Sequence, residues 1–354
     1  MMPAIERPKI LGAGLVALDL VIGLDPNTPI KSWAGGTCGN ILSILAFLKW
    51  DAYPIARMNG DQASERVRLD MNKWGVKLDF TDCIPTSHTP IIIQEIKKNK
   101  SGKTKHRFLW SCPHCGDWLP RFKPVTRTAI ETVMPAINGT KVFFMDRLSR
   151  ATLTLAEAAS KQGAIVFFEP SGKSDKKLFK EAIHLSHVLK YADQRMDGLE
   201  EAMEAETDNL IEIKTSGALG LQFRHRLDTK PSDWLHLPAI EIPYVADSCG
   251  AGDWCSAGFI AKALNLGLAG LKNIGANGVE EALKYGQALA AWNCGFEGAR
   301  GGMYTIRNKG DFDAQIQAII SGTYDLDNSK ASSEYSGLLV ACPSCPTEQE
   351  NTVN

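Results

Sequence analysis

The apolar residues of this chain fall into short runs that alternate with segments of helical spacing, and that alternation leaves few folds open to it. Runs at 141–145, 164–168, 187–191 and 210–214 each have the length of one strand, while 151–161 and 175–186 carry apolar residues three and four positions apart. Strands that alternate with helices pair in parallel, because each helix carries the chain back across the sheet. Val142-Phe143-Phe144-Met145 and Ile165-Val166-Phe167-Phe168 are apolar without a break, as strands covered on both faces are. A first strand is expected over 8–16 and an apolar helix over 39–50, with the Gly35-Gly36 turn between them. The expected class is α/β: a three-layer sandwich with a mainly parallel central sheet flanked by helices.

Two segments break the pattern. Residues 90–98 and 103–110, joined by Asn99-Lys100-Ser101-Gly102, predict a hairpin that projects from the α/β body. With 31–37 and 88–112 they form a small β lid on a main domain spanning 1–325. The tail, 326–354, is polar and rich in Ser, Asp and Asn. At 354 residues and 44% hydrophobic content the chain can bury a large core. Thirty-nine basic residues against forty acidic ones, with no long block of one sign, argue against a nucleic-acid or membrane partner. The N-terminal residues show no export signal and no run approaches the ~18 apolar residues of a spanning helix, so the expected location is cytoplasmic.

The sequence Asp247-Ser248-Cys249-Gly250-Ala251-Gly252-Asp253 is where chemistry is expected. Gly250 and Gly252 let backbone amides turn toward a ligand, and 253–263 has helical spacing. The first turn of a helix offers unpaired N–H groups and a partial positive charge, which suits a phosphate. A carboxylate placed there repels phosphate, so its expected work is to take a proton from the group that attacks it. Taken alone, a Gly-x-Gly-Asp is also explained by a tight turn with an Asp N-cap.

Over residues 9–320 the chain resembles the ribokinase family, the PfkB-type carbohydrate and nucleoside kinases. Gly35-Gly36-Thr37-Cys38-Gly39-Asn40 is similar to the family's sugar-binding signature, and Asn59-Gly60-Asp61 followed by Gly75-Val76 to its Gly-x-Asp segment. The run 247–253 resembles the C-terminal signature Asp-Thr-x-Gly-Ala-Gly-Asp. The resemblance implies a ribokinase-like fold, ATP and Mg2+ as cofactors, and a sugar or nucleoside hydroxyl as acceptor. It makes Asp253 the catalytic base, with Gly250, Ala251 and Gly252 in the anion hole. Asp19, Gly35, Gly36 and Asn40 would hold the substrate. Lys214, Thr215, Gly217, Gly220 and Asn293 would lie on the nucleotide side. Pairing of two chains through the lid is a further implication.

Two departures from the pattern stand out. The family's Asn-x-x-Glu, which helps organise magnesium, is replaced by Ala192-Asp193-Gln194-Arg195, leaving Asp193, Asp197 or Glu169 as substitutes. Trp254, beside the base, is expected to narrow the pocket. The altered Asn-x-x-Glu segment motivates an alternative of another class, a kinase fold that has lost catalysis and serves as a binding or scaffold protein with a zinc-tethered tail.

Nine cysteines without an export signal point to thiols or metal ligands. Cys112-Pro113-His114-Cys115 and Cys342-Pro343-Ser344-Cys345 repeat one Cys-Pro-x-Cys knuckle, so Cys112, Cys115, Cys342 and Cys345 are candidate ligands of one structural zinc that would tether the tail to the lid. Two unrelated turns, or a redox pair, would carry the same residues.

Overall fold

The computed structural model describes residues 6–25, 30–83, 87–98, 104–170, 175–193, 209–227 and 230–324. Its centre is a sheet in the order β13-β12-β11-β10-β9-β8-β1-β4-β5. Here β1 is Lys9–Ala13, β4 Asp51–Met58, β5 Thr81–Cys83, β8 Thr140–Met145, β9 Ile165–Phe168, β10 Val188–Ala192 and β11 Ile211–Thr215. All of these pair in parallel. Leu221–His225 (β12) and Leu235–Leu237 (β13) close the far edge in antiparallel fashion.

Alternation along each strand divides the core in two. Phe144 and Phe167 face one cluster and Phe143 and Phe168 the other, each with 0% of its surface exposed. Full burial of one such side chain contributes about 1.5–3 kcal/mol. The first cluster is covered by α1 (Thr37–Phe47), α2 (Gln62–Lys73), α6 (Ala251–Ala263), α7 (Gly267–Cys294), α8 (Gly301–Thr305) and α9 (Lys309–Ser321). The second is covered by α3 (Thr128–Val133), α4 (Arg150–Lys161) and α5 (Lys176–Leu185). Helix starts follow local chemistry: Asp61 accepts from Ser64 N at 2.8 Å and Ser149 from Thr152 N at 3.1 Å. Helix α7 bends at Gly275, where φ is 69°.

The lid is a four-stranded sheet in the order β3-β2-β6-β7, formed by β2 (Ala17–Ile22), β3 (Lys31–Gly35), β6 (Ile91–Lys98) and β7 (Thr104–Leu109). The expected hairpin is β6 paired antiparallel with β7; its connecting residues, 99–103, lie outside the described residues.

The single strand expected over 8–16 is a correction. It ends at Ala13, and the chain crosses into the lid as β2. Leu15 N donates to the Asp146 carboxylate at 2.9 Å instead of continuing a ladder, and a Cβ at Gly14 would collide with that carboxylate. Apolar spacing alone does not register such a crossing, because Leu15 and Val16 are buried on either side of it.

Candidate active site

From β1 the chain builds outward to β4 and β5 on one side and to β8 through β11 on the other, so the sheet reverses its order between β1 and β8. In open α/β sheets such a reversal leaves a crevice beyond the carboxyl ends of the strands. Asp146 and Arg147 follow β8 into it, and Arg147 Nη1 donates to Asp146 Oδ2 at 2.9 Å.

Helix α6 begins at this crevice. Gly250, its N-cap, has φ 74°, and a Cβ there would strike the Ala299 backbone. Only glycine makes this turn without strain. Ala251, Gly252 and Asp253 form the first turn; the Ala251 amide turns back to the Ser248 carbonyl at 3.3 Å, a weak bond. Asp253 Oδ2 accepts from Asn40 Nδ2 at 2.7 Å, so the acid of the C-terminal signature meets the asparagine of the N-terminal one. Trp254 does not narrow the pocket. It is 0% exposed, donates to the Ala299 carbonyl at 3.0 Å and stands edge-on to Trp292 in the core.

Beneath the α6 turn lies a buried charged cluster. Lys190 of β10 donates to Glu169 Oε1 at 2.6 Å and to the Gly252 carbonyl at 3.3 Å, and Ser256 donates to Glu169 Oε2 at 2.5 Å. Burial works against the Lys190 ammonium, but Glu169 outweighs it and the Lys190 pKa is raised.

On the substrate side, Asp19 of β2 lies opposite Trp33 of β3. A Cβ at Gly35 would overlap the Asp19 carboxyl, so the glycine admits the acid's close approach. Burial pushes the Asp19 pKa up to about 7, against the Arg300 charge and a hydrogen bond from Gly36. Asp247 accepts from Gln94 at 2.7 Å and from the amides of Cys249 and Gly298, each at 3.0 Å. Burial raises its pKa; His106 and these amides outweigh burial and hold it below the usual carboxylate range.

The residues expected on the nucleotide side are placed differently from one another. Lys214 and Thr215 end β11: Lys214 pairs with Asp193 at 2.8 Å and Thr215 donates to the Tyr191 carbonyl at 3.4 Å. Gly217 and Gly220 turn the chain with positive φ, Gly220 packed onto the backbone at Leu237. Asn293 is instead fully buried, and its amide holds the loop that follows α7, bonding the carbonyls of Gly298 and Ala299 and the amide of Gly302.

The carboxylates suggested as magnesium partners do not make a cation cage. Both Glu169 oxygens are engaged by Lys190 and Ser256, and Asp193 by Lys214 and Ser216. Asp197 and Gln194 lie outside the described residues. Cys112 is buried and Cys115 exposed in a turn closed by Gly116 N on the Cys112 carbonyl at 2.9 Å. Cys342 and Cys345 lie outside the described residues, and among those described no group of three His, Cys, Asp or Glu side chains is arranged to hold a metal.

The sequence profile of pfkB family carbohydrate kinases matches residues 29–306. This chain belongs to the pfkB family of carbohydrate kinases. It is similar to an ATP-dependent ribose-1-phosphate kinase of Halopiger xanaduensis, 24% identical over 316 residues, which covers 82% of this chain and 94% of that protein. The fold of this pfkB kinase matches fructokinase from Xylella fastidiosa with bound ATP, TM-score 0.67 at 17% identity over 90% of this chain and 99% of the other. It also matches Arabidopsis thaliana ribokinase with ribose and ATP, TM-score 0.63 at 15% identity over 89% and 99%. The expected ribokinase-like architecture and the carbohydrate-kinase class are therefore both found.

Several polar residues around the pfkB site were not singled out from the sequence: Lys190, Arg300, Asp70, Gln94 and Asp146. One signal was legible. A lysine inside the apolar run 187–191 must be partnered if that run is a buried strand, because an unpaired buried charge is prohibitively costly. Arg300 and Asp70 sit in small-residue or polar stretches where a surface position explains them equally well, and Gln94 and Asp146 stand where an apolar run gives way to charged residues, as a strand end at the surface also does.

Proposed function

We propose that this kinase transfers the γ-phosphoryl group of ATP to a hydroxyl of a sugar, with Asp253 as general base and the α6 first turn as the anion hole. The observation that carries this reading is the Asn40–Asp253 contact at 2.7 Å, which joins the two signatures most distant in the chain at the first turn of one helix. The acceptor hydroxyl lies between the lid acid Asp19 and Asp253. Asp253 takes the hydroxyl proton as oxygen attacks phosphorus, and the α6 amides receive the charge that spreads over the transferred group. Such transfer demands positioning and charge neutralisation more than covalent chemistry. Magnesium travels on the nucleotide's phosphates in this reading, since Glu169 and Asp193 are engaged elsewhere. The likeness to a ribose-1-phosphate kinase makes a pentose, free or already phosphorylated, the first acceptor to try.

Turnover of ATP by the purified protein against ribose, ribose 1-phosphate, fructose and nucleosides tests it, with Asp253→Asn alongside. The variant is expected to lose ~10²–10⁴-fold in kcat, the range for a lost general base, and to keep ATP binding. Undiminished turnover in Asp253→Asn overturns the assignment. Silence of the wild type across the panel, with ligands still raising its Tm, supports the binding-protein alternative.

A further inference from the structure

Arg300 is 1% exposed and comes from the loop between α7 and α8, where nothing in the sequence signatures places a function. Its Nη2 donates to Asp70 Oδ2 of α2 at 2.7 Å and to the Ala34 carbonyl of β3, and its Nε donates to Asn40 Oδ1 at 3.1 Å. Asp70, side chain 0% exposed, is itself held by Ala34 N at 2.9 Å and by the Tyr304 hydroxyl at 2.7 Å. The guanidinium is thus fixed before it reaches Asn40.

Asn40 bridges two groups of opposite hydrogen-bonding character. A guanidinium only donates, so the amide oxygen must face Arg300; an ionised carboxylate only accepts, so the amide nitrogen must face Asp253. Arg300 therefore dictates which end of Asn40 the base meets. Without that donor the amide is free to turn over and present its oxygen to the carboxylate, which repels it. A buried ion pair such as Arg300–Asp70 adds little net stability once its desolvation is counted, so stability alone does not account for placing one here.

We propose that Arg300 is a positioning residue that orients the general base Asp253 through Asn40 and, by its bond to the Ala34 carbonyl, ties that orientation to the lid strand β3. This rests on the reading of Asp253 as the base. Asn40 favours the ionised form of the carboxylate and fixes its Oδ2 toward the N-terminal signature. Lys190 and Cys38 are titratable groups on which the Asp253 charge acts, and Asp146 and Arg147 act on Cys38 as well. None of these is altered by the substitution chosen below.

The test is Arg300→Lys in the full chain. Lysine keeps the positive charge near Asp70 but has no Nε–H donor for Asn40. Expected are a Tm close to wild type, a fall of about 10-fold or more in kcat with little change in the KM for ATP, and an acidic limb of the kcat–pH profile moved to higher pH. Asn40→Ala and the double variant complete a cycle: if Arg300 acts through Asn40, the lysine substitution costs nothing further once Asn40 is gone. Wild-type kcat and pH profile in Arg300→Lys, or losses that multiply in the double variant, overturn the proposal. Should Arg300→Lys fail to fold, Tyr304→Phe, which removes the hydroxyl that contacts both Asp70 oxygens, is expected to show a smaller shift of the same limb; an unmoved limb overturns the proposal. Asp253→Asn separates the two readings. If it retains full turnover the base assignment fails, whereas its loss with an unaffected Arg300→Lys leaves the base in place and removes only the relay.

Discussion

The Asp19 carboxyl is half-buried, its Oδ1 has no hydrogen-bond partner among the described residues, and burial lifts its pKa from 3.8 to about 7. A raised acid of this kind opposes folding: between about pH 4 and pH 7 the unfolded chain releases a proton that the native chain keeps. Stability from this group is complete below pH 3.8, falls as pH rises toward 7 and is level above it. Binding has the opposite sign. In the proposed site a sugar hydroxyl would donate to the ionised carboxylate, so acceptor affinity is expected to rise as pH climbs through about 7. Asp19→Asn is expected to raise Tm at pH 8 more than at pH 5 and to flatten the dependence of acceptor KM on pH. An unchanged KM–pH slope in this variant removes Asp19 from substrate binding. The sequence makes Asp19 visible as a lone acid in an apolar strand, but its environment depends on Gly35, Gly36 and Arg300, which only the fold brings together.

Elements were more legible than their junctions. The runs at 141–145, 164–168, 187–191 and 210–214 became β8 to β11 within a residue or two, because a strand buried on both faces must be apolar throughout. The parting of β1 and β2 was hidden, since the Leu15–Asp146 bond that ends β1 spans 131 positions in sequence. Strand β10 shows what apolar patterning misses even where it places the element correctly. Its Lys190 is 2% exposed and bonds the Gly252 carbonyl, on the same peptide unit as the Asp253 amide. Donors at a carbonyl polarise the peptide and strengthen its N–H as a donor, so Lys190 is expected to reinforce the proposed anion hole from behind. Lys190→Met leaves Glu169 buried and unpaired and is expected to lose ~3–5 kcal/mol. Adding Glu169→Gln is expected to recover much of the stability without the turnover. Thermal melts and kcat measured on both variants check this, and a double variant with wild-type kcat would show the cluster to be structural only.

At the scale of the molecule, one acid ties the lid hairpin to the body beside α6. Gln94 of β6 donates to Asp247 at 2.7 Å, and His106 of the neighbouring strand β7 approaches it at 3.6 Å, while Asp247 also receives the amides of Cys249, just before α6, and of Gly298. The hairpin was legible as two strands and a turn, but not its docking, because Gln94 stands beside Glu95 and His106 between Lys105 and Arg107, among charged neighbours that read as a solvent face. Asp247 holds its charge below the ordinary carboxylate range, so its contribution is present above pH 3.8 and is lost as pH falls through that lowered value; the lid loosens in acid. With the acceptor bound between lid and body, closure contributes to its affinity rather than to the chemical step. Replacing both Gln94 and His106 by Leu is therefore expected to raise acceptor KM about 10-fold, equivalent to ~1.4 kcal/mol, while kcat stays within about twofold. Hydrogen exchange of β6 and β7 should quicken in the same variant while β8 and β9 stay protected. If KM and lid exchange both match the wild type, Asp247 is not the latch, and the lid is held by the polar ties of β3, Arg300 and Asp70 to Ala34 and Arg66 to Ser32, together with the apolar contacts of Ile91 and Ile93 with the central core.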